Sequence, residues 1–429
     1  MVTIGRLVAI ACSFVQCVVL SAQDIRANLE NVQVKRYLDE VCYQLEDESL
    51  VDRYCTSTGF RLDQPRPVQI PVPTGLNINL LSLRYSENKD FSVSDSVCFL
   101  SADSTAFLVY NLIPKKTYYY QIQDADSSIV AQGCIRTKGR VRMIYVPSLF
   151  NVRDLGGWPT INGRRVRYGM IFRGSEMNGM NVADSADIRE LLRLGVKAEL
   201  DFRYVGERDE VDAAGISAFG FSREDGNYLC TDNCGCYATA MYHSYWTSRY
   251  KLAIDYIVRK LRAGWPVYEH CIWGADRTGM ISLLIEGALG VGYSDLAKDY
   301  ELTSMSAKSG VRRKTLYFDE IIVNINKQAG NTLQEKFCDY LRRVVGISQD
   351  NLEFLVKTLT EEYIPEKVLV GDVNEDDAVD IADVVAVYNY MAGAKGDVTL
   401  PHADVNGDGV VDIADVVKIY NLMAGEPFY

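Results

Sequence analysis

Histidine is scarce in this chain, which has only 3 histidines among 429 residues. A structural zinc centre usually combines cysteine and histidine ligands at close spacing. The chain has one tight cysteine cluster with no histidine beside it, made of Cys230, Cys234 and Cys236. We therefore interpret this cluster as a disulfide with a spare thiol rather than as a zinc site.

An excess of basic residues is also missing. The chain has 45 Lys and Arg against 57 Asp and Glu, a net charge of −12. Residues 368–429 alone hold 12 acidic and 2 basic residues, which leaves 45 acidic and 43 basic residues in the other 367. The acidity is thus local to the C-terminus, and neither part has the basic patch of a nucleic-acid-binding protein. We expect no nucleic-acid partner.

Long apolar runs are absent after residue 22. The run at residues 7–20 follows a single Arg and is followed by small residues. A helix of about 14 residues spans about 21 Å and falls short of a bilayer core of about 30 Å. We therefore interpret residues 1–22 as a secretory signal peptide and expect no membrane span in the mature chain. The expected location is secreted, that is extracellular, at the cell surface or periplasmic.

Secretion permits disulfides, because the compartments beyond the inner membrane are oxidising. The sequence offers two local candidate pairs, Cys42 with Cys55 and Cys98 with Cys134.

The composition is that of a globular protein, with 48% hydrophobic and 24% charged residues. At about 150 residues per domain, the length predicts about three domains. Changes of pattern divide the chain into five segments: a signal peptide (1–22), a helical lead-in and linker (23–64), a β-rich domain (65–138), an α/β domain (139–364) and an acidic tail (365–429).

The lead-in is predicted to be helical and without chemistry of its own. Its apolar residues recur at helical spacing, namely Val34, Tyr37, Leu38, Val41 and Leu45.

The β-rich domain begins where four prolines between Pro65 and Pro73 break any helix. The alternating stretches TAFLVYNL and TYYYQIQ predict strands. The stretch LIPKKTYYYQI resembles the tyrosine-corner signature of fibronectin type III domains, at Leu112, Pro114, Thr117 and Tyr118. That resemblance implies a β-sandwich that positions its neighbours and takes no part in catalysis.

The α/β domain alternates short apolar strands with long amphipathic helices, as in VKAELDF and SRYKLAIDYIVRKLRAG. This alternation predicts a parallel sheet with helices on both faces and ligand sites at the strand ends.

The segment WPVYEHCIWGADRTGM carries the main chemical signal. A strand runs straight into Cys271, and a helix is predicted to open at Arg277. Backbone N–H groups converge at such a junction, so they stabilise a thiolate and can also cradle a phosphate. A free thiol is only about 3% thiolate at pH 7, so a nucleophilic cysteine needs such surroundings. Arg277 can close the cradle with its bidentate fork.

The pattern HC-x2-G-x2-RTG resembles the signature of cysteine-dependent phosphatases, and the Asp before the Arg resembles bacterial secreted tyrosine phosphatases. The stretches FNVRDLGGW, VRYGMIFRGSE, LDFRYVGE and DYELTS fall in that family's order, so the resemblance covers residues 150–304. It implies that Cys271 attacks phosphorus to form a phosphocysteine, which water then hydrolyses. Arg277 would stabilise the phosphate oxygens, and Thr278 would donate a hydrogen bond to the sulfur.

The resemblance implies catalysis without a metal or another cofactor, with His270 ordering the loop. The residues expected to line the substrate site are His270, Ile272, Trp273, Gly274, Ala275 and Gly279.

Two carboxylates compete for the role of general acid. Asp276 lies inside the loop, as in related families, and Asp201 lies at a predicted strand end. The other interpretation of Asp201 is that it pairs with Arg277 or Arg203 to hold the loop. Arg153 and Asp154 are expected to form a structural ion pair that frames the pocket, rather than to react.

Ala275 bears on the substrate. Many relatives carry a Lys at this place, where it would add positive charge for polyphosphorylated inositol headgroups. Its absence favours phosphotyrosine, and Trp273 could pack on an aryl ring.

The acidic tail is an internal repeat with a period of 32 residues. Each copy has oxygen-bearing residues at the spacing of a calcium loop. The predicted ligands are Asp372, Asn374, Asp376, the Ala378 carbonyl and Asp383 in the first copy, and Asp404, Asn406, Asp408, the Val410 carbonyl and Asp415 in the second. The repeat resembles a type I dockerin, a small all-α module that binds Ca²⁺ and docks to a cohesin domain.

The first copy departs from the pattern at the sixth loop position, where Asp377 replaces the glycine that the second copy has as Gly409. The turn there needs a positive φ, which Asp tolerates less well than Gly. We therefore expect weaker calcium binding in the first loop.

These features together predict a secreted phosphatase that acts on phosphate monoesters, most of all on protein phosphotyrosine, and that a dockerin attaches to a cohesin. A phosphoinositide or inositol phosphate phosphatase is the alternative within the same class. A protein that only binds phosphorylated ligands is an alternative from another class. A third interpretation is that attachment through the dockerin is the main function, within a polysaccharide-degrading assembly.

Overall fold

The computed structural model describes residues 20–44, 48–55, 61–93, 95–97, 105–208, 217–306, 310–363, 369–394, 396 and 398–425. Most of the predicted signal peptide therefore lies outside the described residues. Within them, no helix combines the length and the apolar character needed to cross a membrane.

The chain divides into two compact units, each built from separate stretches of sequence. The first contains the described residues up to Ala27 together with 68–109 and 116–137, and the second contains 28–67, 110–115 and 138–429.

The strands, in chain order, are β1 (Leu20–Asn28), β2 (Val68–Pro71), β3 (Ser82–Ser86), β4 (Asp95–Val97), β5 (Ala106–Val109), β6 (Thr117–Gln123), β7 (Ile129–Lys138), β8 (Arg153–Asp154), β9 (Arg164–Val166), β10 (Ile171–Gly174), β11 (Ala198–Asp201), β12 (Tyr228–Cys230), β13 (Val267–His270) and β14 (Thr360–Glu362). The helices are α1 (Val32–Glu40), α2 (Ser185–Arg193), α3 (Ser244–Arg262), α4 (Asp276–Leu289), α5 (Tyr293–Leu302), α6 (Phe318–Ile325), α7 (Leu333–Tyr340), α8 (Gln349–Leu359), α9 (Ile381–Met391), α10 (Leu400–Ala403) and α11 (Ile413–Met423).

The first unit is built of β-strands. Its larger sheet has the order β1-β7-β6-β3-β4, and β2 pairs with β5 in a separate antiparallel ladder. Alternate residues of β6 are buried, including Tyr118, Tyr120 and Ile122, as expected for a strand with one face in a core. The strands predicted in TAFLVYNL and TYYYQIQ are confirmed as β5 and β6. The fibronectin type III resemblance stays a prediction.

The predicted lead-in holds one strand and one helix. The helix α1 is confirmed, and it buries Val34, Tyr37 and Leu38 on one side. The helical prediction was wrong for residues 24–28, which belong to β1 and lie beside β7 in the larger sheet. Pairing with a distant strand is a tertiary effect that local periodicity does not report.

The core of the second unit is a five-stranded sheet with the order β12-β11-β13-β10-β8. The first four strands run parallel, and β8 pairs antiparallel with β10 at the edge. The predicted parallel sheet is thus observed, with an antiparallel edge strand that the pattern did not indicate.

Both faces of this sheet are covered, because neighbouring residues of a strand belong to different cores. Ile171 and Val267 lie in the large core built with α3, α4 and α5. The adjacent residues Phe172 and Tyr268 lie in a smaller core that includes Leu191 of α2. A parallel sheet with helices on both faces places the carboxyl ends of its strands at one open edge.

The acidic tail folds into two loop–helix repeats, with helices α9 and α11 joined by the short α10. The helices pack through Val384, Val387, Val416 and Ile419, together with Val373. The loop-then-helix arrangement predicted for each copy is confirmed.

The described cysteines are free thiols. The predicted bond between Cys42 and Cys55 is therefore wrong for this structure. The same holds for a disulfide within the cluster of Cys230, Cys234 and Cys236. The predicted bond between Cys98 and Cys134 is also wrong for this structure, because Cys134 is a free thiol that donates to Asp24 (2.9 Å), although Cys98 itself lies outside the described residues.

Candidate active site

The candidate site lies at the carboxyl ends of three adjacent strands. His270, the last residue of β13, pairs in register with Gly174 of β10 on one side and with Asp201 of β11 on the other. Cys271 follows His270 directly, and α4 begins at Asp276, one residue before the predicted start. Residues 271–275 therefore form a tight loop between a buried strand and the N-terminus of a buried helix.

The loop is held by groups outside it that bind its carbonyl oxygens. The Ile272 carbonyl oxygen accepts hydrogen bonds from the Glu176 amide (3.1 Å) and Asn181 Nδ2 (3.0 Å). Asn151 Nδ2 donates to the carbonyl oxygens of both Trp273 and Gly274 (3.1 Å each). The Gly274 oxygen also accepts from Arg173 Nη2 (2.8 Å). A trans peptide points its N–H opposite to its C=O. The amides of residues 273–275 therefore face the inside of the loop, where they can bind an anion.

Gly274 allows this loop to lie against the sheet. It has a φ of +64°, and a Cβ added to it would clash with the carbonyl of Gly174. A side chain at this position would push the loop away from β10.

The Cys271 thiol is buried, with 3% of the residue exposed. Burial by itself would raise the pKa of this thiol, but the charge of Arg277 and hydrogen bonds from Thr278 outweigh it, so the pKa is lowered. Thr278 is itself buried, and its hydroxyl has no other partner among the described residues. The arrangement thus favours a thiolate at the position of the predicted nucleophile.

Arg277 is oriented by Glu207. Its Nη1 and Nη2 donate to the two carboxylate oxygens of Glu207 (2.5 and 3.1 Å), and Nη1 also donates to the Phe202 carbonyl (3.2 Å). Both side chains are largely buried, at 15% and 14% exposure. A guanidinium held in this way is fixed before any ligand arrives, which lowers the entropic cost of binding a phosphate.

His270 lies behind the loop rather than in it. Its Nε2 lies 2.9 Å from Glu199 Oε1, and the residue is fully buried. Burial would lower the pKa of His270, but the carboxylates of Asp201 and Glu199 outweigh it and raise it. The side chain therefore supports the strand end and does not reach the position of a substrate leaving group.

Asp276 lies at the mouth of the site and forms a bidentate pair with Arg312. Arg312 Nε and Nη2 donate to its two oxygens at 3.0 and 3.2 Å. The Asp276 side chain is 28% exposed. It is thus a carboxylate that a substrate can reach.

Asp201 is placed differently, because it is fully buried at the end of β11. Its oxygens accept hydrogen bonds from Arg203 and from the Tyr228 hydroxyl (2.9 Å). Burial would raise the pKa of Asp201, but His270 and Arg203 outweigh it and lower it. These contacts fit a structural role beside Arg203, which was one of the two interpretations of this residue.

Arg153 and Asp154 are both buried, but they do not pair with each other. Arg153 binds Asp299 through Nε (3.0 Å) and Nη2 (3.2 Å), and Asp154 binds Arg142 (3.1 Å). The expected ion pair between these neighbours is corrected accordingly. Successive residues of a strand point to opposite faces, so they find different partners.

The residues that build the site but were not predicted come from five separate segments: Asn151, Arg173, Glu207, Asp299 and Arg312. Asp299 links Arg153 to Arg173 (Nη1 to Oδ2, 2.9 Å), and Arg173 in turn binds the loop. All except Arg312 lie inside the stretches FNVRDLGGW, VRYGMIFRGSE, LDFRYVGE and DYELTS, so the signal was present in the sequence. Arg312 lies outside every motif, and no sequence pattern pointed to it.

The sequence model of the tyrosine phosphatase family matches residues 144–365, just over half of the chain. The chain belongs to the tyrosine phosphatase family. This match contains the whole of the loop and every side chain that holds it. A second family model, the type I dockerin domain, matches residues 370–423 and covers both calcium-type loops.

Two individual proteins are similar to this chain. A curated protein of Cupriavidus necator, provisionally named a tyrosine-protein phosphatase, is 29% identical over 167 residues. The match covers 36% of this chain, and the chain spans 60% of that relative's length. The crystal structure of TpbA from P. aeruginosa matches 46% of this chain and 91% of its own at 15% identity, but its TM-score of 0.23 is too low to carry an argument.

The two loops of the dockerin segment have the same internal bonds. The backbone N–H of the fifth position donates to side-chain oxygens of the first and third positions. Asp376 donates to Asp372 (2.8 Å) and Asn374 (2.9 Å), and Asp408 donates to Asp404 (3.1 Å) and Asn406 (2.8 Å). The last predicted ligands, Asp383 and Asp415, are fully buried carboxylates. Clustered carboxylate and amide oxygens are the donors that Ca²⁺ prefers. The residues thus fit a calcium ion in each loop.

Proposed function

We propose that this protein hydrolyses phosphate monoesters through a phosphocysteine on Cys271. The observation that carries the proposal is the loop after β13, in which inward amides and Arg277 surround a thiol of lowered pKa. These groups match the charge of a phosphate dianion and of its transition state. Family membership supports the same chemistry.

In the first step the Cys271 thiolate attacks phosphorus, and the bond from phosphorus to the leaving oxygen breaks. The leaving oxygen takes a proton from Asp276. In the second step water attacks the phosphocysteine, the sulfur–phosphorus bond breaks, and the Asp276 carboxylate takes the proton of the water. Thr278 stabilises the departing thiolate, as its hydrogen bond to Cys271 permits.

Asp276 is favoured over Asp201 because it is partly exposed at the site mouth, whereas Asp201 is buried against Arg203 and Tyr228. To serve as the acid, Asp276 must leave the fork of Arg312 when substrate binds. Arg312 therefore positions the carboxylate in the free enzyme.

The favoured substrate is protein phosphotyrosine. The rings of Tyr237 and Tyr317 contact each other, with centroids 4.8 Å apart and planes tilted by 56°, and Tyr237 is 45% exposed. Cys236 is the main cause that raises the pKa of Tyr237 to about 12, and the charge of Asp276 contributes, which indicates that the ring lies near that carboxylate. An aromatic rim suits an aryl leaving group.

A polyphosphorylated inositol headgroup fits less well. Ala275 provides no charge, and the guanidinium of Arg312 is already engaged by Asp276. Inositol phosphates remain the second candidate, because Arg312 would become available if Asp276 moved.

We further propose that the protein is secreted and that its dockerin binds Ca²⁺ and a cohesin. Helices α9 and α11 present matched exposed apolar stripes: Ile381, Val385, Tyr388 and Met391, and Ile413, Val417, Tyr420 and Met423. Exposed apolar patches of this kind mark protein interaction sites. We propose that the cohesin belongs to a polysaccharide-degrading assembly.

The test is phosphate release by the full chain, without added metal and with a reductant, from phosphotyrosine peptides, phosphoinositides and inositol hexakisphosphate. Cys271→Ser is the blank. Turnover of the peptides by the wild type alone supports the tyrosine phosphatase. Turnover of inositol phosphates alone would support the proposed mechanism but show that the substrate is not phosphotyrosine. Binding without turnover would support a phospho-ligand-binding protein instead.

A further inference from the structure

The two calcium-type loops differ at two positions where both need left-handed backbone. In the second loop these positions are Gly407 (φ +78°) and Gly409 (φ +85°). In the first loop they are Glu375 (φ +59°) and Asp377 (φ +65°). Left-handed backbone is unfavourable for a residue with a side chain and costs little for Gly. The first loop thus keeps two acidic side chains at positions where its own repeat shows that Gly suffices.

Both acidic residues contact segments outside the dockerin. Glu375 Oε1 lies 2.7 Å from the Nζ of Lys35 on α1. Lys138 donates to the backbone carbonyl of Glu375 and lies 3.5 Å from Asp377 Oδ1. Neither Glu375 nor Asp377 is among the predicted calcium ligands, so these contacts and calcium binding use different groups.

Two further bonds join α1 to the stretch between the repeats. Arg36 Nη2 donates to the Gly396 carbonyl (2.7 Å), and the Leu400 amide at the start of α10 donates to Glu40 (3.2 Å). Three charged residues of α1, Lys35, Arg36 and Glu40, thus contact the dockerin segment.

The opposite side of α1 is anchored in the phosphatase domain. Val34, Tyr37 and Leu38 are part of its large core. The Tyr37 hydroxyl donates to Glu301 (2.7 Å), and Lys298 donates to the Leu38 carbonyl (2.8 Å), both on α5. The helix therefore connects the catalytic core to the first calcium loop.

The cluster around Glu375 is an ion-pair cluster rather than a metal site. Asp39, Glu375 and His402 have ligand atoms within 4.8 Å of one another. The Lys35 ammonium, however, already binds Asp39 (2.9 Å) and Glu375. A cation of the protein itself thus neutralises this group, and a metal would have to displace it.

We propose that the first calcium loop docks the dockerin onto α1 through Glu375 and onto Lys138 through Asp377, so that the module is held against the phosphatase domain instead of swinging on a linker. The strained acidic residues serve this contact, in line with the general association of backbone strain with function. The apolar stripes of α9 and α11 stay exposed, so a docked dockerin can still bind a partner.

The test compares full-length variants in the presence of calcium by small-angle X-ray scattering and by hydrogen exchange of α1. Replacing both acids by the residues of the second copy, Glu375→Gly with Asp377→Gly, should increase the maximum dimension of the particle and speed exchange in α1. The reciprocal control, Gly407→Glu with Gly409→Asp, should change neither, because it leaves Glu375, Asp377 and their contacts with Lys35 and Lys138 in place.

A charge swap separates docking from folding of the loop. Lys138→Glu alone and Asp377→Lys alone should each expand the particle, and the double variant should restore the compact form. A calcium titration that still shows two sites checks that the loops remain folded. Scattering and α1 exchange identical in the wild type and the double-glycine variant would overturn the proposal.

Discussion

The catalytic loop is buried and its carbonyl groups are held by side chains from distant segments, whereas the second calcium-type loop lies at the surface and bonds largely to itself. Asn151 and Arg173, more than 100 residues away in sequence, fix residues 273 and 274. In the second calcium loop, by contrast, the amides of Asp408 and Gly409 bond to Asp404 four and five residues away. The first kind of loop is shaped by the fold before a ligand arrives, and the second should depend on its ion.

The largest effect on the catalytic unit is expected from Asp276→Asn. Loss of the general acid should lower kcat/KM, which reports formation of the phosphocysteine, by about 10²- to 10⁴-fold for a substrate with a poor leaving group. It should lower kcat/KM far less for p-nitrophenyl phosphate, whose leaving group needs little protonation. The ratio of the two rates is the measurement.

Asp201→Asn is the matched control for Asp276→Asn, because it removes a carboxylate at a neighbouring strand end that is bound to Arg203. It should lower both rates by a similar factor through the loss of structure. If Asp201→Asn shows the leaving-group dependence and Asp276→Asn does not, the assignment of the acid is reversed.

Next is Arg173→Met, which tests whether the fold shapes the catalytic loop. Removing one partner of the buried pair with Asp299 should cost about 3–5 kcal/mol of unfolding free energy. Activity should fall further than this destabilisation explains, because the Gly274 carbonyl loses its donor. Denaturant unfolding and kcat/KM measure the two effects.

Arg142→Met provides the comparison, since Arg142 is also buried and pairs with Asp154 but makes no bond to the loop. We expect a similar loss of stability with activity retained in the folded fraction. Equal loss of activity in both variants would contradict the role assigned to Arg173.

A smaller effect, on the dependence of stability on pH, is expected from the buried carboxyl of Glu269, which precedes His270 in β13. Burial raises the pKa of Glu269 to about 7, although Ser282 donates to it at 2.6 Å. The native state therefore binds an extra proton between the ordinary pKa of 4.5 and about 7, so the contribution of Glu269 to stability is most favourable below about pH 4.5 and falls as the pH rises through this window. The change amounts to about 3 kcal/mol.

Glu269→Gln should flatten that part of the curve of unfolding free energy against pH, and the exposed Glu353→Gln should leave it unchanged. A curve for Glu269→Gln as steep as that of the wild type would show that the buried carboxyl does not change its protonation state there.

The smallest effect on the catalytic unit is expected from removal of calcium. Chelation should unfold the dockerin, because several carboxylates in each loop repel one another without the ion. Activity toward a small phosphate ester should change less than about twofold, since no calcium ligand touches residues 271–277. A parallel loss of activity and of dockerin helix would show that the two kinds of loop are not independent.

The sequence alone was sufficient to predict the structure where one short segment contains both the recognisable motif and the residues with a chemical role. The strand before Cys271, the helix after it and the two loop–helix repeats all follow from local pattern. The lead-in helix α1 was predicted from apolar spacing, but its charged side had no predicted role. The dockerin contact that gives it one joins residues more than 300 positions apart.

The rest depended on long-range contacts that local pattern does not encode. Glu207 and Arg312 reach Arg277 and Asp276 from loops with no periodicity. The burial of Asp201 could not be foreseen either, because a strand end faces the site or the core according to which neighbours pair with it. The motif stretches indicated which parts of the chain contribute residues to the site but not which of these residues contact one another.

The central claim is that Cys271 becomes phosphorylated during turnover. Rapid acid quench of the full-length Asp276→Asn variant with p-nitrophenyl phosphate, which needs little help from the acid in the first step, followed by mass spectrometry of the peptide that contains Cys271, tests it directly. The account predicts one phosphoryl group on Cys271 that disappears on a longer incubation and is absent in Cys271→Ser. Phosphate release at the wild-type rate by Cys271→Ser, or turnover with no phosphoryl group on Cys271, would contradict it.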